Sequence, residues 1–167
     1  MNRVHFAAWD MRGLNALSKG GRSVKGEAVT LYCSENSISL FGMLETKVSF
    51  DREEEVRRSL HFAWDHVTNG HLGPRGRIWI MWDPKVFSVI MLRCTAQVVS
   101  YSVVSADRKV SFIASYVYME NARAQRVAAW SELRDCAVEF RSAWVVLGDF
   151  NCLLDESDHW PERIHRC

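Results

Sequence analysis

Runs of β-branched, aromatic and aliphatic residues recur along the chain at Val4 to Trp9, Ile38 to Leu44, Arg77 to Trp82, Val86 to Leu92, Ala96 to Val104, Val110 to Tyr118 and Trp144 to Leu147. Their length and composition predict strands. Turn signals separate them: Arg12-Gly13-Leu14-Asn15, then three glycines and a proline between Gly70 and Gly76, then Asp83-Pro84 and Ala106-Asp107-Arg108-Lys109. The last two fit hairpin connections, so the middle of the chain reads as an antiparallel meander. Trp144-Val145-Val146-Leu147 has no polar interruption and is expected to be covered on both faces.

Helical rhythm appears elsewhere. Val24 to Cys33 is a plausible helix, and Asp51 followed by Glu54 is a capping-box-like start for an amphipathic segment ending at Leu60. A longer helix is predicted from Arg123 to Phe140 with Asn121 as its cap, because Val127, Trp130, Leu133, Ala137 and Phe140 recur every three or four residues. That stripe reads as core. Helices at the margins with consecutive strands between them predict an α+β layered fold, with sheets packed under helices, rather than a doubly wound sheet. No repeat of solenoid or propeller length appears.

Composition narrows the partners more than the fold. With 167 residues, 48% of them hydrophobic, the chain can bury one sizeable core. A net charge of +1 leaves no global basic field for nucleic acid, so any such contact must be local. Five scattered cysteines without a Cys-x-x-Cys pair argue against a disulfide framework or a zinc site. No signal-like stretch or membrane-length apolar run occurs, which predicts an intracellular chain with no membrane partner. His61, His66 and His71 are spaced five apart and fit no metal pair. Arg57-Arg58 and Arg75/Arg77 read first as a solvated face and second as phosphate contacts. The tryptophans are expected to be mostly buried, and the pattern does not place Trp64.

Polar side chains stand at the carboxyl ends of predicted strands. Asp10 follows the first, Glu45 the second, Asn121 the Val110 run, and Gly148-Asp149-Phe150-Asn151 the last. Asp149 and Asn151 are two apart, so an extended backbone points them the same way. Carboxylates gathered on one rim repel unless a cation offsets them, and Mg2+ (or Mn2+) is the natural candidate for oxygen-only donors.

Several segments resemble one family in order. They are Trp9-Asp10-Met11-Arg12-Gly13-Leu14-Asn15, Leu44-Glu45-Thr46-Lys47, Gly76-Arg77-Ile78-Trp79-Ile80-Met81-Trp82, Val117-Tyr118 with Asn121 and Arg126, and Trp144 through Asn151. Together they resemble the endonuclease/exonuclease/phosphatase superfamily, and most closely the apurinic/apyrimidinic-like endonuclease domain of plant LINE-type retrotransposons. The resemblance implies a four-layer α/β/β/α sandwich and metal-dependent cleavage of DNA phosphodiesters, in the nucleus if the substrate is chromosomal. It implies Glu45 as metal ligand, Tyr118 and Asn121 lining the phosphate, Asp149 orienting or deprotonating the attacking water, and Asn151 hydrogen-bonding the phosphate. Asp10 stands where the family usually has asparagine; an acceptor-only anion there would either add a metal ligand or repel substrate phosphate. A phosphatase of small phosphorylated lipids or inositols is a further possibility within the superfamily.

The family pattern continues past this element to more strands and a closing Ser-Asp-His. Ser157-Asp158-His159 follows Asn151 too closely to leave room for those strands and is read as a coincidental match. The expectation is therefore a domain from 1 to 155 lacking its C-terminal strands, with a divergent tail from 156 to 167. Its nicking activity would be impaired by truncation. The alternative is a catalytically inactive remnant, at most a weak nucleic-acid or protein-binding module.

Overall fold

The computed structural model describes residues 4–14, 23–60, 63–73 and 76–152. Asn15, His61, Arg75, the 155/156 boundary and Ser157-Asp158-His159 lie outside the described residues. The elements run β1 (Phe6–Asp10), α1 (Val24–Glu35), β2 (Leu40–Val48), α2 (Glu53–Ser59), β3 (Asp65–Thr68), β4 (Gly76–Trp82), β5 (Phe87–Cys94), β6 (Val98–Ser105), β7 (Ser111–Tyr118), α3 (Arg123–Glu139) and β8 (Trp144–Asp149). Short 3-10 turns at Phe50–Arg52 and Gly70–Leu72 precede α2 and β4.

Two four-stranded sheets form, in the orders β1-β2-β4-β3 and β5-β6-β7-β8. Each contains one parallel pair, β1 with β2 and β7 with β8, and is otherwise antiparallel. Period-two alternation explains the layers, because both faces of the central strands are apolar. Leu40, Leu44, Ile78 and Ile80 face inward and meet Tyr101, Val103, Ala114 and Tyr116 of the second sheet. Their neighbours Phe41, Met43, Trp79 and Met81 face outward against Val29 and Cys33 of α1 and Val56 of α2. On the far side, Val98 and Val117 pack under Ala129 and Leu133 of α3. The result is helix, sheet, sheet, helix, the expected four layers. Gly42 is needed at the sheet interface, since a Cβ there would lie 2.2 Å from the Tyr116 ring.

Several expectations need correction. Asp83-Pro84 does not close a hairpin: β4 and β5 belong to different sheets, so this connection crosses the sandwich. β3 was not foreseen, being four residues of mixed polarity, and Trp64 just before it packs into the core beneath α1 and α2. Neither Asp51 nor Asn121 caps a helix. α2 begins from a 3-10 turn, and α3 starts after Ala122 with no side-chain cap. The buried face of α3 is Ala129, Leu133 and Cys136, whereas Val127, Trp130 and Ala137 are exposed. Trp9 is also exposed. Among the described residues β8 is a sheet edge, and its Trp144 to Leu147 are half-buried rather than covered on both faces.

Candidate active site

The chemistry begins with an irregularity in β2. Leu44 pairs with Ile78 and Val48 with Gly76, so Glu45, Thr46 and Lys47 all stand against Arg77 alone. Such a bulge re-aims side chains. Glu45 (φ +49°) and Lys47 (φ +55°) adopt left-handed backbone, which costs a non-glycine residue about 1–3 kcal/mol. The segment after β1 clamps them in place: N–H groups of Met11, Gly13 and Leu14 donate to the carbonyls of Leu44, Glu45 and Thr46 at 2.9, 2.7 and 2.7 Å. That segment is itself held by Lys25, whose ammonium donates to the carbonyls of Met11, Gly13 and Arg12 at 2.5, 2.8 and 3.3 Å. Lys25 has no conspicuous place in the sequence pattern, because its partners are backbone carbonyls that no motif spells.

Asp10, at the end of β1, comes within hydrogen-bonding reach of Glu45. Burial pushes the Asp10 carboxyl above the ordinary aspartate range; the Arg12 N–H opposes this, while the Glu45 and Asp149 charges reinforce it. Glu45 shifts the other way. The ion-paired Lys47 ammonium holds it below the ordinary glutamate range, helped by the hydrogen bond from Asp10. Both directions have one cause: two carboxyls lie close together while the Lys47 ammonium pairs with only one of them.

The second sheet supplies the rest. Tyr118 and Asp149 are register partners at the ends of parallel β7 and β8. Gly148 (φ +144°) lets the strands approach: a Cβ there would lie 2.0 Å from the Val117 carbonyl oxygen. Asp149 Oδ1 accepts the Asn151 N–H at 2.8 Å, and the Asn151 carboxamide donates to the Met119 carbonyl at 2.5 Å. One donor of Asn151 is thus committed to tying the end of β8 to the end of β7. Phe150 stacks on Trp130 of α3, centroids 5.5 Å apart, which gives that exposed tryptophan its role. The Tyr118 hydroxyl is pushed up to about 12, by burial first and then by the Glu45 and Asp10 charges. Asn121 sits on a braced loop. Arg126 donates to the carbonyls of Asn121 and Glu120 at 2.6 and 3.2 Å, and Gln97 Oε1 accepts the Glu120 N–H at 2.8 Å.

Two adjoining cavities open on this rim. One, about 340 Å³, is lined by Asp10, Leu44, Gly148 and Asp149. The other, about 510 Å³, is lined by Glu45, Lys47, Arg77, Tyr118, Glu120 and Asn121, among others. The Asp10–Glu45 contact joins them. Among the described residues, neither the Tyr118 hydroxyl nor the Asn121 carboxamide has a hydrogen-bond partner. The structure therefore brings Asp10, Glu45, Tyr118 and Asp149 together and places Asn121 in the larger cavity, while Asn151 lines neither.

The donor chemistry fits a hard divalent cation. Asp10 and Glu45 put two carboxyls against each other in a partly buried place, with the Lys47 ammonium paired to Glu45. Among the described residues no group of three or more His, Cys, Asp or Glu side chains is arranged to hold a metal. Mg2+ needs only one or two protein carboxylates when water and phosphate complete its shell.

No protein-family model and no curated protein matches the sequence. Solved structures do. The chain is similar to an endonuclease/exonuclease/phosphatase family protein from Bacteroides thetaiotaomicron, with a TM-score of 0.61 at 12% identity over 87% of this chain and 62% of that one. It is similar to a mannosyl-6-phosphatase of the same organism (TM-score 0.64, 13% identity, 89% and 66%). The endonuclease domain of TRAS1, a telomere-specific non-LTR retrotransposon, gives 0.61 at 10% identity over 87% and 59%. The chain thus spans about three fifths to two thirds of the length of these structures. At such identities the likeness establishes the fold, which is that of the endonuclease/exonuclease/phosphatase proteins. Among the described residues no helix is long and apolar enough to cross a membrane.

Proposed function

We propose that this chain is a metal-dependent phosphodiesterase domain that nicks DNA and is of retrotransposon descent. The observation that carries the reading is the convergence of Asp10 and Glu45 from one sheet with Tyr118 and Asp149 from the other, close enough that the Glu45 and Asp149 charges act on both Asp10 and Tyr118. Asp10 and Glu45 would hold Mg2+ or Mn2+, which when bound polarises a phosphoryl oxygen. Asp149 orients a water for in-line attack and accepts its proton as the new P–O bond forms and the bond to the leaving oxygen breaks. Tyr118 keeps its proton through the working pH range and, with Asn121, donates hydrogen bonds to the phosphate. Asn151 steadies the Asp149 turn. The retrotransposon assignment rests on the ordered motifs and on the likeness to the TRAS1 domain. Acting on chromosomal DNA, such a domain works in the nucleus.

A supercoiled-plasmid assay tests the reading. Conversion to open circles with Mg2+, abolished by chelator and by Glu45→Ala, is the expected outcome. A catalytically inactive remnant gives no nicking above the Glu45→Ala background, and that result would sink the proposal.

A further inference from the structure

Arg77 is the residue of β4 that faces the whole Glu45-Thr46-Lys47 bulge, and it lines the same 510 Å³ cavity as Glu45, Tyr118 and Asn121. Its guanidinium spans the rim of the sandwich to pair with Glu120, which follows β7 in the other sheet. Both ends are fixed. The Arg77 and Ile78 N–H groups reach the Asn69 side-chain oxygen, at 3.4 and 3.0 Å. The Glu120 loop is braced by Gln97 and Arg126. Yet the pair is not sealed, with side chains 38% and 30% exposed. A guanidinium has five donors, and among the described residues only one nitrogen of Arg77 has a side-chain partner.

The charges in this cavity are paired two by two, Lys47 with Glu45 and Arg77 with Glu120. Lys47 is committed to the residue proposed to bind metal. Arg77 is committed to a carboxylate outside that centre, so an incoming anion can compete with Glu120 for it without disturbing the Lys47–Glu45 pair. A planar fork suits phosphate oxygens, and Leu72 and Ala96 on the cavity wall give apolar surface for a sugar or base. A volume of 510 Å³ lies within the roughly 300–1,000 Å³ of small-ligand sites and exceeds what one phosphate fills.

We infer that Arg77 binds the phosphate next to the one being cut, with Glu120 as the resident anion that this phosphate competes against. The site would thereby select a nucleic-acid strand, which carries successive phosphates, over an isolated phosphate ester. The inference rests on the phosphodiesterase reading and assigns a specificity-determining residue to it.

The test measures binding apart from chemistry. A fluorescein-labelled single-stranded DNA octamer is titrated in EDTA against wild type, Arg77→Gln and Glu120→Gln, each checked by thermal melting, across a salt series. Losing one phosphate contact should weaken Arg77→Gln about 5- to 20-fold and flatten the log–log salt slope by about 0.7. Glu120→Gln removes the competing anion and keeps a hydrogen-bonding amide, so it should tighten binding about three- to tenfold. Equal affinity and slope for Arg77→Gln overturn the inference. If that variant does not fold, unchanged or weaker binding by Glu120→Gln overturns it instead. Wild-type nicking of supercoiled plasmid with Mg2+ is run in parallel. Its absence counts against the phosphodiesterase reading alone, and the binding arm still reports on Arg77.

Discussion

The two halves of the candidate site are built in opposite ways. Glu45 belongs to β2, a central strand whose residues from Leu40 to Leu44 are buried on both faces, and its strained bulge is clamped by the β1 loop and by Lys25. Asp149 ends β8, an edge strand of half-buried residues, and depends on one close backbone approach and one side-chain tie. The lesson is that the Glu45 half is fixed by a buried network, whereas the Asp149 half is fixed by a few local contacts. Single changes should therefore expose the difference.

The largest effect is expected at Gly148. Alanine there meets the Val117 carbonyl and an unfavourable φ, so urea unfolding should show a loss of about 2–4 kcal/mol. A loss below about 1 kcal/mol would mean β7 and β8 can separate freely. Next comes Lys25→Met, which keeps the stem but drops the ammonium donated to three carbonyls, at about 1.5–3 kcal/mol by the same measurement. Should Lys25→Met match wild type, the clamp on the bulge is not what holds Glu45. Asn151→Ala loses the Met119 tie and places alanine at φ +46°, costing about 1–2 kcal/mol. Its nicking rate should fall more than its stability, because the Asp149 turn loosens.

The smallest effect is read by thiol labelling. Burial pushes the thiol of Cys33, on the buried face of α1, up to about 12, whereas Cys152 just past β8 is exposed. The folded state thus holds the Cys33 proton more tightly than the unfolded state does. The stability this contributes is complete below the ordinary thiol range and is lost as pH rises from about 9 toward about 12. At pH 8, iodoacetamide should modify Cys152 and leave Cys33 intact until unfolding. Fast labelling of Cys33 would show that the closed half opens as readily as the edge.

The same contrast explains what could be read from the sequence. Apolar runs revealed seven of the eight strands among the described residues, since alternation with two apolar faces is written in residue type. β3 escaped because Asp65-His66-Val67-Thr68 is too short and mixed to show a period. Which sheet a strand joins is a tertiary choice, so the crossing at Asp83-Pro84 passed for a hairpin. The α3 stripe slipped because a helix half exposed on a sheet's outer face buries only its small residues, Ala129 and Cys136, beside Leu133. In the site, residue identities at strand ends were legible. The left-handed bulge under Glu45, the Lys25 clamp and the Arg77–Glu120 bridge were not, because Glu-Thr-Lys does not spell a φ angle and the bridge joins residues 43 positions apart.

The central claim is that two differently built halves form one site. Plasmid nicking by Glu45→Gln, Asp149→Asn and the double variant, with matched Mg2+ and verified folding, tests it most directly. Groups acting as a unit are strongly non-additive, so each single change should lower the rate by about 100-fold or more, with the double variant no slower than the slower single. Multiplying losses in the double variant, or singles that nick at the wild-type rate, would contradict it.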